Sequence, residues 1–418
     1  MKKVYLCIDL KTFYASVECS ERHLDPFTTN LVVADPSRGN GALCLAVTPA
    51  LKAQGVKNRC RIYEIPKNIK YITAIPRMKL YMEYSANIYS IYLKYIAKED
   101  IHVYSVDEAF LDITSYLRLY NMSARQIARM IMDDVFKTTG ITATAGIGTN
   151  MYLAKVALDI ISKHTKDNMG ILTEELYKEL LWQYKPLTDF WQIGNGTAKR
   201  LAKYDVYDMY GIAHMDEDIL YKEFGITAKY LIDHAWGLEP ITIEDIHNYR
   251  PKNNSISHSQ VLFEDYDYMD ALNVVKEMVE LKVLDMVGKH LVSNHISLFI
   301  GYSKNVIPST GGSRTLTTRT NSYRIFLHEF VQLFEKTTNR HYPIRTIAIS
   351  FGGVLDEIYE TYDLFTDIEA LEQEKKLGET LVQIRDKYGK SAIFKGMNLL
   401  EKSTTIKRNE LIGGHNAE

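Results

Sequence analysis

The chain has 418 residues, 46% hydrophobic and 24% charged, which is enough for roughly two to four domains with cores of their own. A formal net charge of −2 does not announce a nucleic-acid binder, so any phosphate contact must come from local charge. Four cysteines (Cys7, Cys19, Cys44, Cys60) form no CxxC pair, the start lacks a signal h-region, and no apolar run approaches the ~18 residues of a membrane span. Ordinary thiols of a reducing compartment and a soluble cytoplasmic protein are the expectation.

In chain order, residues 2–9 read as a buried strand, and Val4, Leu6 and Ile8 give it no packing reason to end in Asp9. A helix starts at Phe13 and runs to Ser20. Leu31–Ala34 and Leu43–Val47 read as two strands joined by the turn-rich stretch Asp35–Gly41. Pro49–Gly55 reads as a short helix with Pro in its first turn and a closing Gly. A long amphipathic helix is expected from about Met78 to Ala97. After it, Tyr104-Ser105-Val106 runs into Asp107 and Glu108, and apolar alternation then resumes from Ala109 to Ile113. A helix over about Ser123–Thr138 and a strand over Thr142–Ile147 complete a strand, helix, paired-strand, helix, strand order, that of a ferredoxin-like sheet. Two strands meeting with Asp9, Asp107 and Glu108 at one end would make a hard-oxygen site suited to Mg²⁺. Two strands with acidic turn residues are the competing reading.

Past Gly170 the pattern is helical to about Trp236. Within it, Phe190–Leu201 carries Gly194 and Gly196 ahead of Lys199 and Arg200. That pattern fits a helix-hairpin-helix, whose turn offers backbone N–H groups to a phosphate; a glycine cap between packed helices fits equally. Ile241–Lys252 reads as a linker. A second αβ unit follows: strand Ser255–Phe263, helix Tyr268–Val287, strands Leu291–Tyr302 and Thr315–Thr320, helix Ser322–Lys336 and strand Ile344–Gly352. From Gly301 to His328 there are Lys304, Arg314, Arg319 and Arg324 and no Asp or Glu, with many Ser and Thr between them. This suits contact with a phosphate backbone, or else a solvated hairpin. The remainder, from about Asp356, reads as a charged tail.

Ile8–Glu18, Tyr104–Asp112 and Gly146–Asn150 with Leu153-Ala154-Lys155 together resemble the Y-family translesion DNA polymerases, in the UmuC-like branch of Gram-positive bacteria. The resemblance runs over about residues 1–355. It implies an α+β multidomain, right-hand polymerase with a ferredoxin-like palm (1–29 and 76–166), small fingers (30–75) and a helical thumb with the helix-hairpin-helix (167–239). A linker (240–253), an αβ little finger (254–355) and a C-terminal tail (356–418) would follow. The implied activity is DNA-directed, low-fidelity DNA synthesis in repair and SOS-type damage tolerance, by a monomer.

Residue by residue, Asp9, Asp107 and Glu108 match the family's metal-binding carboxylates, with the main-chain oxygen of Leu10 as a further ligand to two Mg²⁺ ions. Asp112 falls beyond the site and is structural. Phe13 and Tyr14 match the turn facing the dNTP triphosphate, and Tyr14 stands at the steric-gate position, where an aromatic ring collides with a 2′-hydroxyl; packing on the sheet is its alternative. The family's triphosphate-gripping Tyr and Arg align with Pro49 and Lys52. Lys52 keeps the charge and loses arginine's fork, and Thr48 could donate a hydroxyl. Lys163 falls near the family's second phosphate-binding lysine with a slip of one residue, and Lys166 competes with it. Leu43 and Leu45 would roof the nascent base pair. Gly194, Gly196, Lys304, Arg314, Arg319 and Arg324 would hold primer–template DNA.

In the tail, Thr361-Tyr362-Asp363-Leu364-Phe365 resembles the peptide that docks on a sliding clamp, although an incidental apolar pair at Leu364 and Phe365 explains it too. Two other classes compete. A palm-type nucleotidyl cyclase would need neither the helix-hairpin-helix nor the second αβ unit. A non-catalytic DNA-binding relative would be expected to have lost an acid. Template-free addition is a further variant.

Overall fold

A computed structural model describes residues 3–252, 254–303 and 306–418. The chain divides into two compact units, Met1–Tyr249 and Arg250–Ala417. Among the described residues no helix is long and apolar enough to cross a membrane.

The first unit is built on β1 (Tyr5–Leu10) and α1 (Phe13–Glu21). A small three-stranded sheet follows from β2 (Leu31–Val33) and β3 (Ala46–Val47), with α2 (Pro49–Ala53) before β4 (Ile72–Ala74). Next come α3 (Met78–Tyr92), β5 (Ile101–Val103), β6 (Glu108–Asp112), α4 (Tyr116–Leu119), α5 (Ala124–Thr139), β7 (Ala143–Gly148), α6 (Met151–Val156) and β8 (Met169–Leu172). The main sheet has the order β5-β6-β1-β7-β8, with β1 at its centre and antiparallel to both neighbours. The expected strand-helix-strand order is therefore present. The long helix stops at Tyr92, short of Ala97, and the strand expected over Leu43–Val47 is paired as β3 only at its end.

Local chemistry explains the boundaries. Ser123 and Gln126 form a capping box ahead of α5, and Gly140 closes it in a left-handed conformation. Two glycines set how closely α6 lies on β7. A Cβ at Gly146 would come 2.0 Å from the Ala154 carbonyl oxygen, and one at Gly148 would come 2.2 Å from the Ala154 nitrogen. Only glycine admits such an approach, so the Gly-Ile-Gly run is a packing device.

Helices α7 (Glu174–Leu181), α8 (Asn195–Leu201), α9 (Met209–Ala213), α10 (Glu217–Phe224) and α11 (Ala228–Ala235) share a core around Tyr152, Tyr177, Phe190 and Leu201. The stretch expected as a linker contains a helix, α12 (Ile243–Asn248). Its Ile243 is buried against Tyr5, Cys7, Phe110 and Met151 of the first unit. An apolar residue spaced for a single turn was too short a signal to separate from a linker.

The second unit pairs β9 (Ser255–Tyr266), β10 (Leu291–Tyr302), β11 (Thr310–Thr320) and β12 (Ile344–Gly352) in the order β11-β10-β12-β9. Helices α13 (Tyr268–Gly288) and α14 (Tyr323–Thr337) share one core with this sheet. The short β13 (Leu355–Asp356) pairs with β10. What reads as a tail is ordered: α15 (Ile368–Tyr388) and α16 (Thr405–Asn409) fold back on α13, and the hairpin of β14 (Leu411–Ile412) and β15 (His415–Asn416) ends the chain. Glu374 of α15 accepts from the Ser322 hydroxyl (2.7 Å) and the Arg324 amide (2.9 Å) at the start of α14. Glu277, only 3% exposed on α13, accepts from Asn398 Nδ2 (3.2 Å), the Thr404 amide (2.9 Å) and the Thr405 hydroxyl (2.9 Å). The sequence marks this segment as a charged tail with a Glu/Lys helix over 367–385, and that helix is present as α15. The buried glutamate that fastens the segment lies more than a hundred residues away in sequence.

Candidate active site

The register of the central strands builds the site. Asp9 at the end of β1 stands directly opposite Glu108 at the start of β6, and the Leu10 amide donates to the Asp107 carbonyl (2.9 Å). Three carboxylates are thus carried by adjoining backbone at one end of the sheet. Burial pushes Asp9 up to about 7, and the negative charges of Asp107 and Glu108 push in the same direction. Glu108 is 9% exposed and is also raised by burial. It is held by Lys155 Nζ (2.9 Å) and by the Cys7 thiol (3.2 Å). Lys155 also reaches Asp159 (3.1 Å). Burial pulls the Lys155 ammonium down, but Asp159 and Glu108 together raise it above the ordinary value. Asp107 accepts from the Ser105 hydroxyl (2.6 Å).

Among the described residues no three acidic, histidine or cysteine side chains gather closely enough to ligate one ion. Glu108 is turned to Lys155, and Asp107 to Ser105. The donors nevertheless suit a hard divalent cation. They are carboxylates on adjoining strands with the Leu10 backbone beside them, and the burial and like charge that raise Asp9 are of the kind a bound cation would offset. Asp112 stands at the opposite end of β6 from Glu108, where it takes Lys3 Nζ (2.7 Å) and the Thr114 amide (3.0 Å).

Tyr14 lies in the first turn of α1, where burial and, less strongly, the Asp107 charge raise its hydroxyl. Phe13 beside it is buried, ring centroids 5.7 Å apart. Leu43 and Leu45 alternate with buried Ala42, Cys44 and Ala46, so both project to the less buried side of the small sheet.

Lys52 lies in the last turn of α2. Desolvation lowers its ammonium against the pull of Asp9, and the positive charges of Lys163 and Lys11 lower it further. These three lysines therefore form a cationic group beside Asp9. Ala157–Ile161 is a π-helical turn, which takes up one residue more than an α-helical turn and stands between Lys155 and Lys163.

Thr48 is a correction. It is fully buried, its hydroxyl donates to the Thr29 carbonyl (2.8 Å) and accepts from the Leu31 amide (3.1 Å), and nothing of it remains for a phosphate. Lys11 and Arg59 were missed. Lys11 donates to Asn168 Oδ1 (3.1 Å), and exposed Arg59, in a left-handed conformation, acts electrostatically on Tyr14. The signal for Lys11 was its place two residues after Asp9.

The expected DNA-contacting set scatters. Gly194 precedes α8, and a Cβ at Gly194 or Gly196 would meet nothing within 4 Å, so their backbone faces open space. Lys304 lies outside the described residues. Arg314 shares the inward side of β11 with Leu316, and its guanidinium goes to Gln332 (2.9 Å) and Glu329 of α14. Arg319 donates to the Gly353 carbonyl, and Arg324 is exposed on α14. Strand alternation therefore separates the arginines that composition grouped. The opposite face of that sheet carries Ser257, Ser259, Ser297, Ser313, Thr315 and Phe299 in adjoining registers. Leu364 and Phe365 are 98% and 95% exposed.

Comparison with known proteins places the site in context. Residues 8–159 match the impB/mucB/samB family and residues 253–362 match that family's C-terminal domain. A putative UV-damage repair protein, UvrX of Bacillus subtilis, is 30% identical over 99% of this chain and 98% of its own length. DNA polymerase IV 2 of Halalkalibacterium halodurans is 27% identical over 99% of this chain and 100% of its own. A solved Y-family DNA polymerase chimera of Dbh and Dpo4 has the same fold, with a TM-score of 0.65 at 19% identity over 84% of this chain and 99% of that one. The paired acidic strands, the glycine-seated lysine helix and the full-length relatives together identify the chain as a member of the impB/mucB/samB family, the Y-family DNA polymerases.

Proposed function

We propose that this chain is a translesion DNA polymerase that adds dNTPs to a primer 3′-hydroxyl on a DNA template, in damage tolerance. The observation that carries the reading is the strand register that puts Asp9 opposite Glu108, with Asp107 adjoining, beside Tyr14 and the lysine group. Asp9, Asp107, Glu108 and the Leu10 carbonyl would hold two Mg²⁺ ions. When bound, these ions would favour the deprotonated primer hydroxyl and neutralise charge at the leaving pyrophosphate.

The chain's own residues do the rest. Lys155 balances buried Glu108 and fixes its position. Lys52 and Lys163, with Lys11, attract the triphosphate electrostatically, as point charges without arginine's fork. The Phe13–Tyr14 turn lies under the nucleotide, and the Tyr14 ring excludes a 2′-hydroxyl. Leu43 and Leu45 cover the base pair. Gly194 and Gly196 meet the phosphate backbone, the hydroxyl-bearing face of the second unit's sheet adds neutral contacts, and Leu364 and Phe365 form the anchor for a sliding clamp.

Primer extension with Mg²⁺ and the four dNTPs, comparing the wild type with Asp107→Ala/Glu108→Ala, tests the reading. Extension by the wild type alone supports it, and equal extension by both proteins contradicts it. Leu364→Ala/Phe365→Ala should keep unaided synthesis and lose stimulation by the clamp; undiminished stimulation would remove the clamp assignment.

A further inference from the structure

Tyr14 does not stand alone. Its ring stacks on Tyr81 of α3, centroids 4.5 Å apart and planes 19° from parallel. Tyr81 is 1% exposed, and its hydroxyl donates to Glu18 Oε1 (2.7 Å). Glu18 is fully buried on α1, four residues after Tyr14 and therefore on the same helical face. It takes both arms of Arg77, Nε at 3.0 Å and Nη2 at 2.9 Å, and Arg22 approaches it as well. Arg77 in turn is four residues before Tyr81.

Two helices thus face one another through two rungs: Tyr14 on Tyr81, and Glu18 on Arg77. A bidentate carboxylate–guanidinium pair has little angular freedom. A buried ring bonded through its hydroxyl to that carboxylate cannot swing about its Cα–Cβ bond without taking a donor from a charged acceptor.

We propose that Tyr81 is a positioning residue for sugar discrimination: anchored through Glu18 and Arg77, it fixes the height and tilt of the Tyr14 ring beneath the incoming nucleotide. The inference rests on the reading of Tyr14 as the steric gate. An aromatic ring stacked on one side only has freedom to swing away from a 2′-hydroxyl. A fixed neighbour removes that freedom, and selectivity then depends on a residue that never touches the sugar.

The test compares kcat/KM for a dNTP and the matching rNTP in the wild type, Tyr14→Ala, Tyr81→Leu, Tyr81→Phe and the double variant Tyr14→Ala/Tyr81→Leu. Tyr81→Leu should raise the rNTP-to-dNTP ratio roughly three- to tenfold, the fold-change that one aromatic pair is worth. Tyr81→Phe keeps the stacked ring but loses its bond to Glu18, and should raise the ratio less than Tyr81→Leu does. In the Tyr14→Ala background, Tyr81→Leu should add nothing. A wild-type ratio for Tyr81→Leu, with Tyr14→Ala clearly raised, would overturn the role of Tyr81 while leaving the gate standing. No rise for Tyr14→Ala would overturn both. Should Tyr81→Leu not fold, Glu18→Gln loosens the anchor without changing either ring. It should move the ratio in the same direction, and equal losses for both nucleotides would overturn the proposal.

Discussion

Gly146→Ala examines how the sheet holds the lysine that holds the glutamate. The added Cβ would lie 2.0 Å from the Ala154 carbonyl oxygen, 2.4 Å from the Leu158 nitrogen and 2.9 Å from the Leu158 Cα, all main-chain atoms that cannot rotate aside. Restoring an ordinary C···O approach of about 3.3 Å requires α6 to retreat by roughly 1 Å. That helix carries Lys155, whose Nζ is 2.9 Å from Glu108, so the retreat strips a buried carboxylate of its cation. Overpacking costs about 1–3 kcal/mol and the weakened charged hydrogen bond about 1.5–3 kcal/mol, giving about 2.5–6 kcal/mol together.

The three tryptophans, Trp182, Trp191 and Trp236, all belong to the first unit, so their fluorescence reports its urea transition alone. The midpoint should fall by about 1–2 M. The primer-extension rate of the protein that remains folded should fall with it. A midpoint within about 0.3 M of the wild type would refute the argument that glycine is needed there for close approach.

Lys163→Ala should raise the KM for dNTP about tenfold, as the loss of one charged contact would, while Lys166→Ala stays near the wild type. The reverse order in steady-state kinetics would reassign the lysine. Arg314→Ala should leave the salt dependence of DNA binding unchanged, because Glu329 and Gln332 already occupy its guanidinium; a flatter slope of log K against log [salt] would show that it reaches phosphate. Burial, with Arg408 and Lys282 nearby, lowers His258 to about 4. Its folded value lies below its unfolded one, so its contribution is present above about 6.5 and is lost as pH falls toward about 4. After solvent screening that is about 1 kcal/mol, seen as a steeper acid loss of urea stability by circular dichroism in the wild type than in His258→Gln. Parallel pH profiles would contradict it. Asn398→Leu removes a donor from buried Glu277 and should cost about 1–3 kcal/mol, read as faster proteolytic release of residues 367–418. An unchanged cleavage rate would show that the glutamate does not fasten the segment.

Much of this was legible in the chain because it is local. Asp9 and Glu108 are conspicuous where apolar strands meet a charge, and alternation gave most strands and helices of both units. What stayed hidden depends on pairing or phase. No periodic pattern marks the π-helical turn at Ala157–Ile161, which adds one residue between Lys155 and Lys163. Arg314 faces inward because it shares parity with Leu316, a fact lost when basic residues are counted along a segment. Thr48 looks like any helix-start hydroxyl until Thr29 and Leu31 are seen to engage it. Tyr81 and Glu18 are sixty-three residues apart, so only the packing of α3 on α1 makes them partners. The C-terminal segment reads as a tail because its anchor, Glu277, belongs to another helix.

The most direct test of the central claim is single-nucleotide incorporation by the wild-type protein, each of the four dNTPs offered in turn opposite each of the four template bases with Mg²⁺. Templated synthesis at the paired carboxylates predicts that the complementary dNTP is preferred opposite every base and that the activity disappears in Asp107→Ala/Glu108→Ala. Addition with the same nucleotide preference whatever the template base, or in the absence of a template, would contradict it.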